Sequence, residues 1–383
     1  MNNKKSVVNF IIDRRKKLII DLTYFFPNDI AKMISEYDYY LLGKNYTIYD
    51  RLNTSTINLL PDEQLVGGTP EGKIKIWNLR TGNCDNSIKG HSSSITSISV
   101  LSNCRIVSGS CDNTLNVWNL TTNKCENTFN HGDPITYVTS ITNEQIISGS
   151  GNGILKLWNL NNNNNCACTF IGHTREIRSV IFIPDNKLHE NAKGLIVSAS
   201  NDKTLKIWNL KNIQSISSEI KCDLTLKGHT DWVRCVILLP DGKIISGSDD
   251  GTLKIWNYCT GECELTLTGH EGYIYFMKVF CYYDSGLIIS GSSDNTMRLW
   301  NPQTGECVRI FTGHSSGVCC FNILPDESVI SGSFDGTLKR WDLQTGECNF
   351  TFKSHNGWCL GVFVLPDGRI VSVSALNAID IWS

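Results

Sequence analysis

The clearest pattern in the chain is an alternation with period two. Val233, Cys235 and Ile237 alternate with Arg234 and Val236, the spacing of a β-strand whose two faces meet different surroundings. Pro240-Asp241-Gly242 follows, a turn sequence in which proline presets φ and glycine accepts a positive one. Ile244, Ile245 and Ser246 begin a second strand, Asp249-Asp250-Gly251 turns the chain again, and Thr252 to Trp256 makes a third strand. One such unit cannot bury both of its faces, and the chain answers by repeating it. Trp77, Trp118, Trp158, Trp208, Trp256, Trp300, Trp341 and Trp382 each close a strand of the Lys-Ile-Trp-Asn kind, 40 to 50 residues apart. The wider gaps hold inserted runs at 161–165, 187–193, 211–221 and 281–286, expected as surface loops that tolerate added length. Ahead of the repeats stands one helical stripe. Ile30, Met33, Ile34 and Tyr37 fall at i, i+3, i+4 and i+7, after Pro27 and Asp29, which suit a first helical turn.

Polar residues recur at fixed places within the units. In the stretch from Gly228 to Asn257 they are His229, Ser246, Asp250 and Trp256. An indole offers only a donor, a serine hydroxyl donates and accepts, and an imidazole links hydroxyl to carboxylate, so the four can form one hydrogen-bonded chain. The set recurs as His91, Ser108, Asp112 and Trp118; His173, Ser198, Asp202 and Trp208; His270, Ser290, Asp294 and Trp300; and His314, Ser331, Asp335 and Trp341. The third unit has His131, Ser148 and Trp158 but Asn152 for the acid. The first has Asn53, Gly67 and Glu71 at these places, and the last keeps His355 and Ser372 with Leu376 where the acid belongs. A His–Ser–Asp set can be a hydrolase triad. Recurrence in unit after unit marks it as framework instead, and it commits seven of the eight histidines, leaving His189 in an insertion.

This period, with Gly-His at one end and Trp-Asn or Trp-Asp at the other, resembles the WD40 repeat. The resemblance implies an all-β fold, a single β-propeller of eight blades; seven blades, with one terminal unit outside the ring, is the alternative. Residues 45–383 form the propeller on this reading, with 45–50 supplying the outer strand of the last blade, and 1–44 form a short helical extension. Part of that extension, around Phe26, Pro27, Ile30, Met33, Ile34 and Tyr37, resembles the opening of an F-box over about a dozen residues, without the two further helices. That likeness implies contact with a Skp1-like adaptor; the plainer reading is a helix packed on the main domain.

Composition narrows the function classes. Net charge is −2, so nothing points to nucleic acid or a membrane surface. No apolar run is long enough to span a bilayer, and Asp13-Arg14-Arg15-Lys16-Lys17 breaks the layout of a signal peptide. The expected location is cytoplasmic, with a nuclear one suggested by the Arg-Arg-Lys-Lys run. The chain has 16 cysteines, read as structural thiols in a reducing compartment. No spacing fits a metal site and no glycine-rich phosphate loop precedes a helix, so no cofactor is expected.

Partner contacts in WD40 proteins often use the face around the start of the innermost strand. At the place of Arg234 the eight units carry Asn58, Thr96, Thr136, Arg178, Arg234, Tyr275, Cys319 and Leu360. Two residues earlier stand Trp232, Tyr273 and Trp358, and Phe334 precedes an acid, so Arg178, Trp232, Arg234, Tyr273, Tyr275, Phe334 and Trp358 concentrate on units 4 to 8, and arginine and aromatic residues dominate interface hot spots. The expected function is a non-enzymatic scaffold that binds a peptide or partner protein on this face. One alternative is the substrate-recognition subunit of a cullin-type ubiquitin ligase reading a phosphorylated motif. F-box/WD proteins place arginines at this position in successive blades, but Asn201 and Asp249 depart from that pattern here. An enzyme with a channel active site is the alternative from another class.

Overall fold

The computed structural model describes residues 44–49, 56–60, 63–102, 104–160, 166–184, 194–212, 218–280, 286–353, 355–375 and 378–382. The chain makes two units, Tyr46–Ile381 and a second of Met1–Asn45 with Trp382–Ser383. The helix expected around Pro27 to Tyr37, and with it any adaptor contact, lies outside the described residues.

Eight antiparallel sheets follow one another along the chain, and together they form an eight-bladed propeller. Blade 5 shows the plan. Its strands Val233–Leu238, Ile244–Ser248, Leu253–Trp256 and Cys263–Leu267 run from the innermost to the outermost. Blades 1 to 4 occupy 56–89, 95–130, 135–171 and 177–226, and blades 6 and 7 occupy 274–311 and 318–353. Blade 8 takes three strands from 359–382, and its outermost strand is Lys44–Tyr49, which lies next to Ala378–Trp382.

The Ser-Gly-Ser runs explain how blades meet. A Cβ on Gly109 would come within 2.5 Å of Ile135 in the next blade, and one on Gly149 within 2.6 Å of Ile177. Ala199 stands at this place in blade 4 and Val373 in blade 8, at the seam. Between blades the core is apolar. The ring of Phe129 stands 5.2 Å from Trp158 of the next blade, and Phe170 and Phe311 meet Trp208 and Trp341 in the same way at 5.5 and 5.8 Å. At the seam, Leu65 and Trp77 of blade 1 share a buried cluster with Val371, Val373, Ile379 and Ile381 of blade 8. Arg369 of blade 8 donates to Glu63 of blade 1 at 2.7 Å, and Arg80 holds the same carboxylate at 2.9 Å. The hydrogen bond from Arg80, with that from Arg369, brings the Glu63 carboxyl down to about 2.

One expected loop is not a loop. Within 211–221, Ser218–Lys221 forms a fifth strand on blade 3, parallel to Cys166–Ile171, although it lies between the third and fourth strands of blade 4. Backbone N–H and C=O groups left open on the edge of blade 3 satisfy those of the insertion. The insertions at 161–165, 187–193 and 281–285 lie outside the described residues.

Candidate functional site

The five complete His–Ser–Asp–Trp sets form directed hydrogen-bond chains. In blade 5 the indole N–H of Trp256 donates to Ser246 Oγ at 2.8 Å, and that hydroxyl lies 2.7 Å from His229 Nε2. His229 Nδ1 lies 2.8 Å from Asp250. Blades 2, 4, 6 and 7 repeat this, with His–Ser distances of 2.7 or 2.8 Å and His–Asp distances from 2.7 to 3.0 Å. In blades 2, 4 and 7 a neutral imidazole protonated on Nδ1 completes this direction, accepting from the serine and donating to the acid. Burial, the largest influence, pushes His91, His173 and His314 below the ordinary histidine value and so favours that form. The serines are fully buried and saturated by two partners, so they cannot act as nucleophiles.

A fifth member went unread in the sequence. Two residues after each acid stands a threonine, and the hydroxyls of Thr114, Thr204, Thr252, Thr296 and Thr337 donate to it at 2.6 or 2.7 Å. The recurring Asp-x-Thr spacing was the available signal. Blade 3 has Ile154 there. Its Asn152 turns outward to Asp133, and neither ring nitrogen of His131 has a hydrogen-bond partner, while Trp158 still donates to Ser148. Blade 8 recovers its acid from elsewhere. Asp380, within the third strand, lies 3.4 Å from His355 Nδ1, and Ser372 lies 3.0 Å from Nε2.

These chains fix the turns on one rim of the ring. In blades 2 to 8 the amide before the acid position donates to the carbonyl before the inner strand, as in Asp249 to Trp232, Ser293 to Tyr273, Phe334 to Gly317 and Ala375 to Trp358. Each blade thus presents its two rim residues on a hydrogen-bonded pair of loops.

The structure brings the seven rim residues named from the sequence into one continuous row. The guanidinium of Arg178 lies 5.8 Å from the ring of Trp232, and that of Arg234 lies 5.9 Å from the same ring. Arg234 also lies 5.8 Å from Tyr273 and 5.6 Å from Tyr275. Tyr275 meets Phe334 edge-on at 5.5 Å, and Phe334 meets Trp358 at 5.2 Å. Gly317 makes the middle of the row possible, since a Cβ there would sit 3.1 Å from Tyr275 and 3.3 Å from Phe334. Trp358 is 59% exposed and Tyr273 48%.

The arginines are not free. Arg234 makes a two-pronged ion pair with Asp249, whose side chain is only 6% exposed. Arg178 donates to Asn201 at 3.1 Å and pairs with Glu176 at 3.2 Å, and Asn201 in turn donates to Glu176. Asp249, one of the two departures from the phosphate-reading pattern, is the ion-pair partner of Arg234.

One rim assignment is corrected. Asn58 pairs with Val66 and donates to the carbonyl of Ile98 at 2.8 Å, deeper in its strand than Arg234 is in blade 5. Counting from Asn53 as the counterpart of histidine misplaces blade 1 by three residues. Cys319, by contrast, stands where Thr96 and Thr136 stand, and like them bonds the carbonyl that opens the next blade, at 2.7 Å. Among the described residues no group of His, Cys, Asp and Glu could hold a metal ion, and no helix is long and apolar enough to cross a membrane.

No match is found among curated proteins. Among solved structures, the crystal structure of the computationally designed Ika8 protein is similar with a TM-score of 0.73. The likeness covers 87% of this chain and 97% of that one at 24% identity, which is a likeness of fold. The family described as WD domain, G-beta repeat matches residues 82–119, 123–159, 164–209, 220–257, 261–301 and 305–342. These segments end short of the two degenerate units at the seam and still cover more than half of the sequence, so the chain belongs to the WD-repeat family.

Proposed function

We propose that the protein is a non-enzymatic interaction scaffold that binds a peptide or partner protein on the rim of blades 4 to 8. The observation that carries this is the unbroken row from Arg178 to Trp358, held on rigid turns with two of its largest rings in solvent. Trp, Tyr and Arg on a preorganised surface are the residues that make interface hot spots. The histidines and serines that could have served chemistry are spent on the framework, which supports a binding role over a catalytic one.

Asp249 and Glu176 neutralise the arginines, which favours an unmodified partner over a phosphorylated one. A substrate receptor that also holds a Skp1-like adaptor through residues 24–44 is a narrower form of the same role. Loss of such an adaptor on deleting 1–44 is its test, and a full-length chain that captures none removes it.

Affinity purification with wild type and with a Tyr273→Ala, Trp358→Ala double variant tests the face. Partners that depend on it drop out while circular dichroism stays unchanged. An identical partner set moves the site elsewhere.

A further inference from the structure

We infer that the occupant of this rim is a proline-rich segment bound as a polyproline II helix, an inference that rests on the rim being a peptide-binding face. It comes from the balance of donors and acceptors there. The indole N–H groups of Trp232 and Trp358 and the hydroxyls of Tyr273 and Tyr275 have no hydrogen-bond partner among the described residues. The carboxylate and amide oxygens beside them are already engaged. Both oxygens of Asp249 take Arg234, Glu176 takes Arg178 and Asn201, and the oxygen of Asn201 takes Arg178. What faces outward is a set of ring faces, two indole donors and two tyrosine hydroxyls that both donate and accept, with the nearby charge cancelled.

The ligand that fits such a surface is apolar, uncharged, rich in acceptors and poor in donors. An anionic segment would have to draw Arg234 away from Asp249, leaving a carboxylate that is nearly buried without its counter-charge. An ordinary peptide would bring more backbone N–H groups than the two tyrosine hydroxyl oxygens can accept, and each one desolvated without a partner is a loss. Proline removes that N–H, keeps its carbonyl and stacks its ring on aromatic faces. A polyproline II segment also has little backbone freedom left to lose on binding. The consecutive contacts of the row, between 5.2 and 5.9 Å, give such a segment an aromatic floor interrupted only by the guanidinium of Arg234, whose charge Asp249 cancels.

The test is selection of short, randomised, unphosphorylated peptides displayed on phage against the full-length chain, followed by fluorescence polarisation with the enriched peptides. The expected sequences carry prolines about three positions apart, one face of the helix. Binding weakens about tenfold or more in Trp358→Ala and in Tyr273→Ala, and equally when the prolines become alanine. Enriched peptides that are acidic or lack proline, yet still need Trp358, overturn the proline assignment and leave the face standing. Enrichment indifferent to both Trp358 and Tyr273, or none at all, overturns both.

Discussion

Asp380 Oδ2 stands 3.4 Å from Nδ1 of His355, with both side chains fully buried. In the blades with complete chains the acid reaches its histidine from a turn; here it comes from inside a strand. Other blades carry Lys75, Asn116, Lys156, Lys206, Lys254, Arg298 and Lys339 at that strand position. Blade 8 thus exchanges a cation for the acid its turn lacks. Asp380→Ala is expected to cost about 3–5 kcal/mol, as for breaking a buried pair. Asp380→Leu with His355→Phe should cost less than the two single losses added together, since it removes both polar partners at once. Urea denaturation measures all three variants, and strictly additive losses would show that the two residues do not interact.

Asp249 holds Arg234 in place and cancels its charge. Wild type should therefore bind phosphoserine peptides no better than their unmodified forms. Asp249→Asn leaves Arg234 beside Trp232 and Tyr275 without a counter-charge, and should gain about tenfold for the phosphorylated form. That gain should shrink as salt is raised. Isothermal titration of matched peptide pairs reads both, and strong phosphate preference in wild type contradicts the neutralised pair.

Acid should weaken the fold in two stages. Burial first, and then the charge of Lys156, lowers the His131 imidazole to about 4. The unfolded chain takes up this proton near pH 6.5 and the folded chain does not. The contribution of the neutral ring is therefore complete above about pH 6.5 and lost as pH falls toward 4, on the order of 3 kcal/mol. His91, His173 and His314 act in the same direction. Burial alone would raise the Asp335 carboxyl, but hydrogen bonds from Thr337 and Ser315 outweigh it and hold it at about 2. Its contribution is complete above the unfolded value and disappears as pH falls toward 2. Calorimetry across pH should show a plateau above pH 7, a decline from about 6.5 and a steeper one below 4. His131→Phe should flatten the first decline; a Tm that rises on acidification would contradict the assignment.

The thiols should divide sharply in reactivity. Cys84, Cys125, Cys263 and Cys348 lie exposed at the start of outer strands, each donating to a carbonyl two residues on. Burial pushes Cys168 and Cys235 up to about 12. Brief alkylation of the native protein, read by mass spectrometry, should label the first four and spare Cys168 and Cys235 until denaturant is added. Equal labelling of both groups would mean that the blades open far more readily than their packing allows.

The repeated strand plan of the blades and the five complete side-chain chains were legible because each arises within one repeat, from period, turn chemistry and residue type. The row on the rim was legible in composition: Trp232, Tyr273, Tyr275, Phe334 and Trp358 were all visible at three recurring places in the repeat. Its charge state was not. Whether Asp249 grips Arg234 or stands free beside it depends on how two side chains turn, and spacing carries no record of that. Asp380 was hidden because the search for an acid stopped at the turn. The blade 1 register was misread because no Gly-His pair precedes that blade to anchor the count, and the destination of Ser218–Lys221 could not be read because it pairs outside its own repeat.

Blade 3 lacks the carboxylate and threonine that grip the histidine in the five complete blades, and it is also the blade that receives Ser218–Lys221. The two facts together describe redundancy. Support given up inside the sheet is replaced along its outer margin by chain lent from the following repeat. Residues 218–221 then act as a buttress, so that blades 3 and 4 should detach as one cooperative block in hydrogen exchange. A change in that lent segment would be felt first in a blade whose own sequence is untouched.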